Sequence, residues 1–203
     1  MIAVTFALPA ESSEFVRLRR TVAVLHTGVG KRAVDRTLLP FLKNHAPDLL
    51  ISAGFAGAVT DSFQVGDVFV AENFSDPSLV GITALRRAKL ATISRVADST
   101  NERMASGGDA VDMETEFIAE ACAQRGIRML SLRAISDTPA APFGIPADVL
   151  FDVERQQTDT ARLVGHLVRR PIALRQLLII ARQVKTARRS LSVAVCAALD
   201  ALR

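Results

Sequence analysis

Residues 110–137 read AVDMETEFIAEACAQRGIRMLSLRAISD, and this stretch decides the fold of the chain. Acidic residues precede apolar residues at helical spacing, which predicts a helix broken at the glycine before the next apolar run. Residues 129–132 are mostly apolar, which is typical of a strand covered by helices on both faces. Residues 133–137 follow where that strand leaves the sheet. Because ligands of open α/β sheets bind beyond the carboxyl ends of strands, Glu114 and Asp137 are expected to face one crevice.

Two carboxylates that reach one pocket from separate elements are a common arrangement for acid–base chemistry. Each also has a structural interpretation. A glutamate at the position of Glu114 lies in the first helical turn, where the helix dipole favours a negative charge. An aspartate after a strand, such as Asp137, often caps a helix. The spacing alone leaves both interpretations open.

Composition indicates a globular protein with one core. A chain of 203 residues, 49% of them hydrophobic, suits one full-sized domain. Its two cysteines, Cys122 and Cys196, lie in apolar helical patterns, which predicts free thiols in a reducing compartment. The three histidines are far apart in sequence, so we expect no metal site. The first residues are not typical of a signal peptide and no apolar run is long enough to span a bilayer, so we expect a cytoplasmic protein.

Charge is distributed unevenly along the chain. Residues 155–203 contain 10 Lys and Arg against 2 Asp and Glu, whereas the rest of the chain is acidic. A basic segment suggests an anionic partner, which can be nucleic acid, phosphate or a membrane surface. Since no nucleic-acid recognition motif accompanies the charge, we expect no nucleic-acid partner.

The order of the predicted elements indicates an α/β fold. A helix begins near Pro9, another extends from Lys31 to about His45, and Pro40 predicts a kink or a break in it. A Pro-rich loop follows the central stretch at residues 138–146, and the chain after it is predicted to be wholly helical. Strands are predicted at residues 1–7, 21–27, 48–53, 65–70 and 90–93.

This alternation predicts a single domain over residues 1–203, with a mostly parallel central sheet flanked by helices. A basic helical C-terminal extension covers about residues 155–203.

The central stretch contains two motifs of a known family. The segments VDME at 111–114 and RAISD at 133–137 together resemble the paired signature of the nucleoside phosphorylase and nucleosidase superfamily. Members of that superfamily break the N-glycosidic bond between ribose and a base, without a cofactor and with inorganic phosphate or water as co-substrate. The resemblance implies that Asp137 donates a proton to a purine N7 and that Glu114 accepts hydrogen bonds from the ribose hydroxyls. It also implies substrate contacts for Met113 and Ser136.

Two further segments extend the resemblance. The sequence ALPAE at residues 7–11 resembles a nucleosidase segment that ends the first strand, which makes Glu11 the candidate general base. Gly28 and Gly30, in the sequence GVGK, resemble a turn of that family that follows the second strand. Such a turn places backbone N–H groups near the nucleophile or a phosphate.

The sequence SAGFAG at residues 52–57 resembles a third element of the superfamily, but with departures. Phosphorylases of the superfamily carry Arg where this chain has Ser52, and Ser or Thr where it has Phe55. Both usual phosphate contacts are therefore absent, which leaves hydrolysis and phosphorolysis open. The resemblance implies substrate contacts for three residues of the segment: Phe55, Ala56 and Gly57. Other cations could still bind phosphate: Arg17, Lys31 and Arg32.

The whole chain, with its shortened middle at residues 74–108 and its Leu/Arg-rich tail, looks like the hopanoid-associated phosphorylases. That resemblance implies a purine nucleoside with a bulky 5′ substituent, such as adenosylhopane, with base contacts from residues 93–97 and Phe143. The basic helices would then contact the inner membrane peripherally. Alternatively they pack on the domain core or on a second subunit. Relatives form homo-oligomers, so we expect one here.

Two other functions stay open. One is a nucleosidase for methylthioadenosine and S-adenosylhomocysteine or for futalosine. The other is a non-catalytic protein that binds nucleosides or associates with a membrane.

Overall fold

One mixed sheet organises the fold, in a computed structural model that describes residues 1–19, 21–94, 100–157, 160–170 and 172–202. Within these residues the sheet has eight strands: β1 (Ile2–Phe6), β2 (Val24–His26), β3 (Leu49–Ala58), β4 (Val68–Ala71), β5 (Arg86–Ala88), β6 (Leu90–Thr92), β7 (Ala110–Asp112) and β8 (Arg128–Asp137). Its main path runs β2-β1-β3-β8-β4-β5, and β7 joins β6 to β3. Strand pairs are parallel except β4 with β8 and β7 with β3, so the predicted, mostly parallel α/β sheet is confirmed.

Helices cover both faces of this sheet. Those in the described residues are α1 (Pro9–Leu18), α2 (Lys31–His45), α3 (Pro77–Val80), α4 (Thr100–Met104), α5 (Thr115–Ala123), α6 (Ala147–Leu150), α7 (Thr160–Arg169) and α8 (Ile172–Ala201). Helices α1 and α8 pack on one face of the sheet, while α2 and α5 pack on the other. No helix in the described ranges combines the length and the apolar character that crossing a bilayer requires.

Neighbouring residues of the central strands contribute to opposite faces. Leu50 and Met129 pack under α2 and α5, whereas Ile51 and Leu130 pack under α1 and α8. Burial on both faces explains why these strands are apolar without alternation.

Strands β3 and β8 are longer than the sequence predicts. Each has ten residues, so residues 54–57 and 133–137 lie within the sheet. Parallel pairing up to Gly57 and Asp137 satisfies the backbone of both strands, with a shift in register after Ala56. A Cβ atom on Gly57 would lie 2.7 Å from Nη1 of Arg103 and 3.2 Å from Oδ2 of Asp137, so any larger residue would displace the Arg103 guanidinium group.

Of the two outcomes predicted for Pro40, the break does not occur, and one other helix prediction needs correction. Helix α2 continues through Pro40 without a break, because the exposed position leaves the freed carbonyl of the preceding turn open to water. Residues 151–157 are not helical, so the chain after residue 146 is not wholly helical. There the Asp152 Oδ1 atom accepts hydrogen bonds from the N–H groups of Glu154 and Arg155, which stabilises a turn instead.

Helix α8 divides into a first part, residues 172–186, and a second part, residues 187–201. The second part belongs to the main core, where Leu191, Val195 and Ala198 are fully buried against the sheet. Its first part exposes large apolar side chains, among them Ile172 and Leu178. The predicted packing of the C-terminal helix on the domain is therefore confirmed for its second part.

Candidate active site

A small cavity lies near the carboxyl ends of β1 and β2. Its lining includes Glu11 from α1, Phe55 from β3, Glu114 from the β7–α5 junction and Arg133 from β8. The cavity encloses about 10 Å³, which is the space that one water molecule needs. Two carboxyl groups that are far apart in sequence therefore share one enclosed space.

Backbone N–H groups hold the Glu11 carboxyl group in place. Oε2 accepts hydrogen bonds from the N–H groups of Ala7 (2.9 Å) and Leu8 (3.2 Å), and Oε1 accepts one from Phe55 (3.4 Å). Burial raises the pKa of Glu11 above its usual value, although these N–H groups and the charge of Arg133 oppose the shift. A carboxylate whose affinity for a proton is raised in this way suits a general base.

Glu114 sits immediately before α5 and reaches the Gly28–Gly30 turn. Its Oε1 atom accepts a hydrogen bond from the N–H of Gly30 at 2.9 Å. Burial, followed by the charge of Asp112 and that of Glu11, raises the pKa of Glu114 to about 8. The half-buried Met113 precedes it in the same junction. The structure thus brings Glu11, Glu114 and the glycine turn together.

Beneath the cavity lies a buried ion pair that the sequence reasoning missed. The Arg133 Nε atom is 3.1 Å from Oδ2 of Asp112, and the two side chains are 3% and 1% exposed. Arg133 also donates to the Ser52 carbonyl (2.8 Å), the Ser52 hydroxyl (2.9 Å) and the Thr115 hydroxyl (2.5 Å). The only signal in the sequence was position, because Asp112 and Arg133 lie inside the motifs that contain Glu114 and Asp137.

Asp137 occupies a different environment at the end of β8. It is 5% exposed, accepts a hydrogen bond from the Ser136 hydroxyl (2.8 Å) and lies 2.7 Å from Nη2 of Arg103. Asp137 does not line the small cavity that Glu11 and Glu114 share. Arg103 explains the difference, since a carboxylate buried this deeply needs a compensating charge.

Strand β3 joins the two places. Phe55 lines the cavity, while the buried residues Ala56 and Gly57 lead along the strand to Asp137. The base contact predicted for residues 93–97 falls largely outside the described residues, because 95–97 are not included. Phe143 packs in the cluster around the start of α8. Among the predicted phosphate ligands, Lys31 forms an ion pair with Asp35 at 2.8 Å.

Chemically, the arrangement suits a reaction that develops positive charge. Glu11, Glu114 and the Arg133 guanidinium group line a space for one water molecule, and Asp112 pairs with Arg133 beside it. Carboxylates stabilise a sugar that becomes oxocarbenium-like as its glycosidic bond breaks, and a buried one can deprotonate water.

The model of the Phosphorylase superfamily matches residues 10–87 and 90–169 of this chain. The chain belongs to this superfamily. A curated relative, the 5′-methylthioadenosine/S-adenosylhomocysteine nucleosidase of Actinobacillus succinogenes, is 24% identical in an alignment that covers 68% of this chain and 77% of the relative. The nucleosidase of the same name from Staphylococcus aureus is 26% identical over 159 residues, with coverages of 58% and 69%.

Solved structures of the superfamily share the fold of this chain. A Helicobacter pylori 5′-methylthioadenosine/S-adenosylhomocysteine nucleosidase complex superimposes with a TM-score of 0.71 at 13% identity, covering 98% of this chain and 97% of its own. The Streptococcus pneumoniae enzyme in complex with 8-aminoadenine gives 0.70 at 19% identity, with coverages of 98% and 99%. The fold predicted for this superfamily member is thereby confirmed along nearly its whole length.

Proposed function

We propose that this superfamily member cleaves the N-glycosidic bond of a purine nucleoside. The observation that supports the proposal most directly is the enclosed pair of acids, Glu11 and Glu114, beside a space for one water molecule. Burial raises the pKa of both groups, and the charges of Asp112 and Glu11 raise that of Glu114 further, as expected where proton transfer takes place. No cofactor is required for such a reaction.

The proposed roles follow from the positions of the groups. Glu11 removes a proton from the nucleophile as its oxygen attacks C1′ of the sugar. The C1′–N9 bond breaks, and its electron pair moves onto the purine. Once Arg103 has moved aside, Asp137, oriented by Ser136, takes up a proton from solvent and transfers it to the departing base. Glu114 accepts hydrogen bonds from the ribose hydroxyls and Met113 packs under the sugar.

Substrate contacts are also proposed for the strand that joins the cavity to Asp137, through Phe55, Ala56 and Gly57. The Gly28–Gly30 turn closes the opposite side, where the N–H of Gly30 holds Glu114. Candidate substrates are adenine nucleosides with a 5′ substituent. Methylthioadenosine and S-adenosylhomocysteine come first, because the curated relatives are named for them. Futalosine and adenosylhopane are the other candidates.

The experiment is a panel of these nucleosides incubated with the protein, with and without inorganic phosphate. Released base is quantified together with free sugar or sugar 1-phosphate. We expect Asp137→Asn to lower the turnover number by about 10²- to 10⁴-fold, because the leaving base loses its proton donor. The control is Asp48→Asn, because the Asp48 side chain is 77% exposed and pairs with the N-terminal amine of Met1. Purine binding without release of base by the unmodified protein would instead identify a non-catalytic binding protein.

The proposal includes a cytoplasmic homo-oligomer that contacts a membrane through its basic helices. Its support is the exposed apolar surface shared by α7 and the first part of α8, which we call the α7–α8 surface: Val164, Val168, Ile172, Leu174, Leu178 and Ile179. Arg169, Arg170 and Arg175 lie exposed beside these residues. Apolar side chains together with arginines suit an interface of anionic lipids.

A further inference from the structure

The turn at residues 151–157 carries one residue in an unusual conformation. Gln156 has a φ of +56°, a backbone conformation that residues with a side chain seldom adopt. Packing of the neighbouring residues does not explain this conformation, because Glu154, Arg155 and Gln157 are exposed. Residues in such strained conformations persist where contacts with the surrounding structure stabilise them.

The side chain of Gln156 binds the glycine turn of the proposed site. Its Oε1 atom accepts a hydrogen bond from the N–H of Val29 at 2.7 Å, and its Nε2 atom donates to the Val29 carbonyl at 2.8 Å. The Gln156 side chain therefore satisfies both backbone groups of Val29, which lies 127 positions away in the sequence. A Cβ atom on Gly28 would lie 2.7 Å from the Cβ atom of Ala33 and 2.8 Å from Oε1 of Gln156, so the glycine leaves room for both contacts.

The same turn holds Glu114. The residue after Val29 is Gly30, and its N–H donates to Oε1 of Glu114. Gly28 itself donates to the carbonyl of Ala7, beside the N–H group that binds Glu11. A shift of the turn would therefore move the N–H group that binds Glu114 and disturb the backbone that holds Glu11.

We propose that Gln156 is a positioning residue that locks the Gly28–Gly30 turn in the geometry that Glu114 requires. Its second effect concerns the nucleophile. With the N–H of Val29 bound to Gln156 and that of Gly30 bound to Glu114, neither group is left to bind a phosphate. Water is then the nucleophile. This inference rests on the proposed function, because it assigns a part in the same reaction.

The decisive variant is Gln156→Gly. Glycine relaxes the left-handed backbone, so we expect the variant to keep its fold. It loses the two hydrogen bonds to Val29 and the one that Nε2 donates to the Val153 carbonyl within the same turn (2.5 Å). Gln157→Ala is the matched control, since Gln157 is the exposed neighbour. For Gln156→Gly we expect faster hydrogen exchange at the Val29 amide and a fall in kcat on the order of tenfold or more, as a displaced catalytic group produces. The control should match the unmodified protein in both measurements.

A purely structural role of Gln156 predicts a different result for Gln156→Gly. Relief of the backbone strain would then leave kcat unchanged, with or without a gain in stability. Wild-type kcat in Gln156→Gly, or an unchanged Val29 amide, would overturn the inference. So would base release by the unmodified protein that depends on inorganic phosphate. The amide measurement needs no substrate. If the unmodified protein releases no base, the proposed function fails, while accelerated exchange in Gln156→Gly would still support the lock on the turn.

Discussion

Replacing Glu114 by glutamine gives a prediction that depends directly on the burial of the site. The ordinary pKa of a glutamate is 4.5, and burial together with the charge of Asp112 raises the pKa of Glu114 to about 8 in the folded chain. Between these two values the folded protein keeps a proton that the unfolded chain releases. The free energy of unfolding therefore falls as the pH rises through this window, and the loss is complete above pH 8.

The magnitude follows from the size of the shift. Each pKa unit corresponds to about 1.4 kcal/mol, so the window sets a ceiling of about 5 kcal/mol. We expect about 2–3 kcal/mol, because Glu114 is half-buried and its surroundings relax when it ionises. Glutamine has a similar shape and no proton to lose. The stability of Glu114→Gln relative to the unmodified protein should thus increase by that amount as the pH rises from about 5 to about 8.

Urea unfolding at both pH values measures the difference. Glu116→Gln is the control, since Glu116 is an exposed glutamate in the first turn of α5, two residues from Glu114. The difference in stability between variant and unmodified protein is compared at the two pH values, so that any effect of the new amide cancels. A constant difference for Glu114→Gln, equal to that of the control, would refute the assignment of a buried, proton-binding carboxyl group.

Two further predictions concern the ion pair at Asp137 and the α7–α8 surface. Arg103→Met should lower the free energy of unfolding by about 3 kcal/mol, because it leaves Asp137 buried without its cation. Adding Asp137→Asn should recover part of that loss in a urea double-mutant cycle, and strictly additive effects would contradict the pairing. Vesicles containing phosphatidylglycerol should sediment the protein about tenfold more strongly than they sediment Leu178→Glu, whereas Val193→Glu, exposed on the second part of α8, should bind normally. Equal binding to phosphatidylcholine vesicles, or dimerisation lost in Leu178→Glu, would assign the surface to another role.

The Arg103–Asp137 pair changes how the site is expected to work. A sequence interpretation places the acid open to substrate, whereas the structure covers it with a guanidinium group from α4. A purine that receives a proton from Asp137 must first displace Arg103. Opening of this pair therefore becomes a step of the proposed reaction.

Much of the fold could be predicted because its signals are local. The apolar runs of β1, β3 and β8 and the helical spacing after Glu114 lie within single segments, and each survives in the structure. The ends of elements were less accessible. Strand β3 passes through Gly54 and Gly57 only because β8 supplies a partner strand of equal length, and no local pattern reports that length. Likewise, the turn at residues 151–157 depends on one side-chain cap from Asp152.

The sequence by itself determined the superfamily, the α/β alternation and the identity of the candidate acids Glu11, Glu114 and Asp137, because motifs and periodicities are written in neighbouring residues. Only the tertiary structure decided what those acids contact. It placed two of them in one cavity and covered the third with Arg103, and it brought Gln156 onto the glycine turn. Such contacts join residues that are distant along the chain, and their geometry is set by how helices and strands pack.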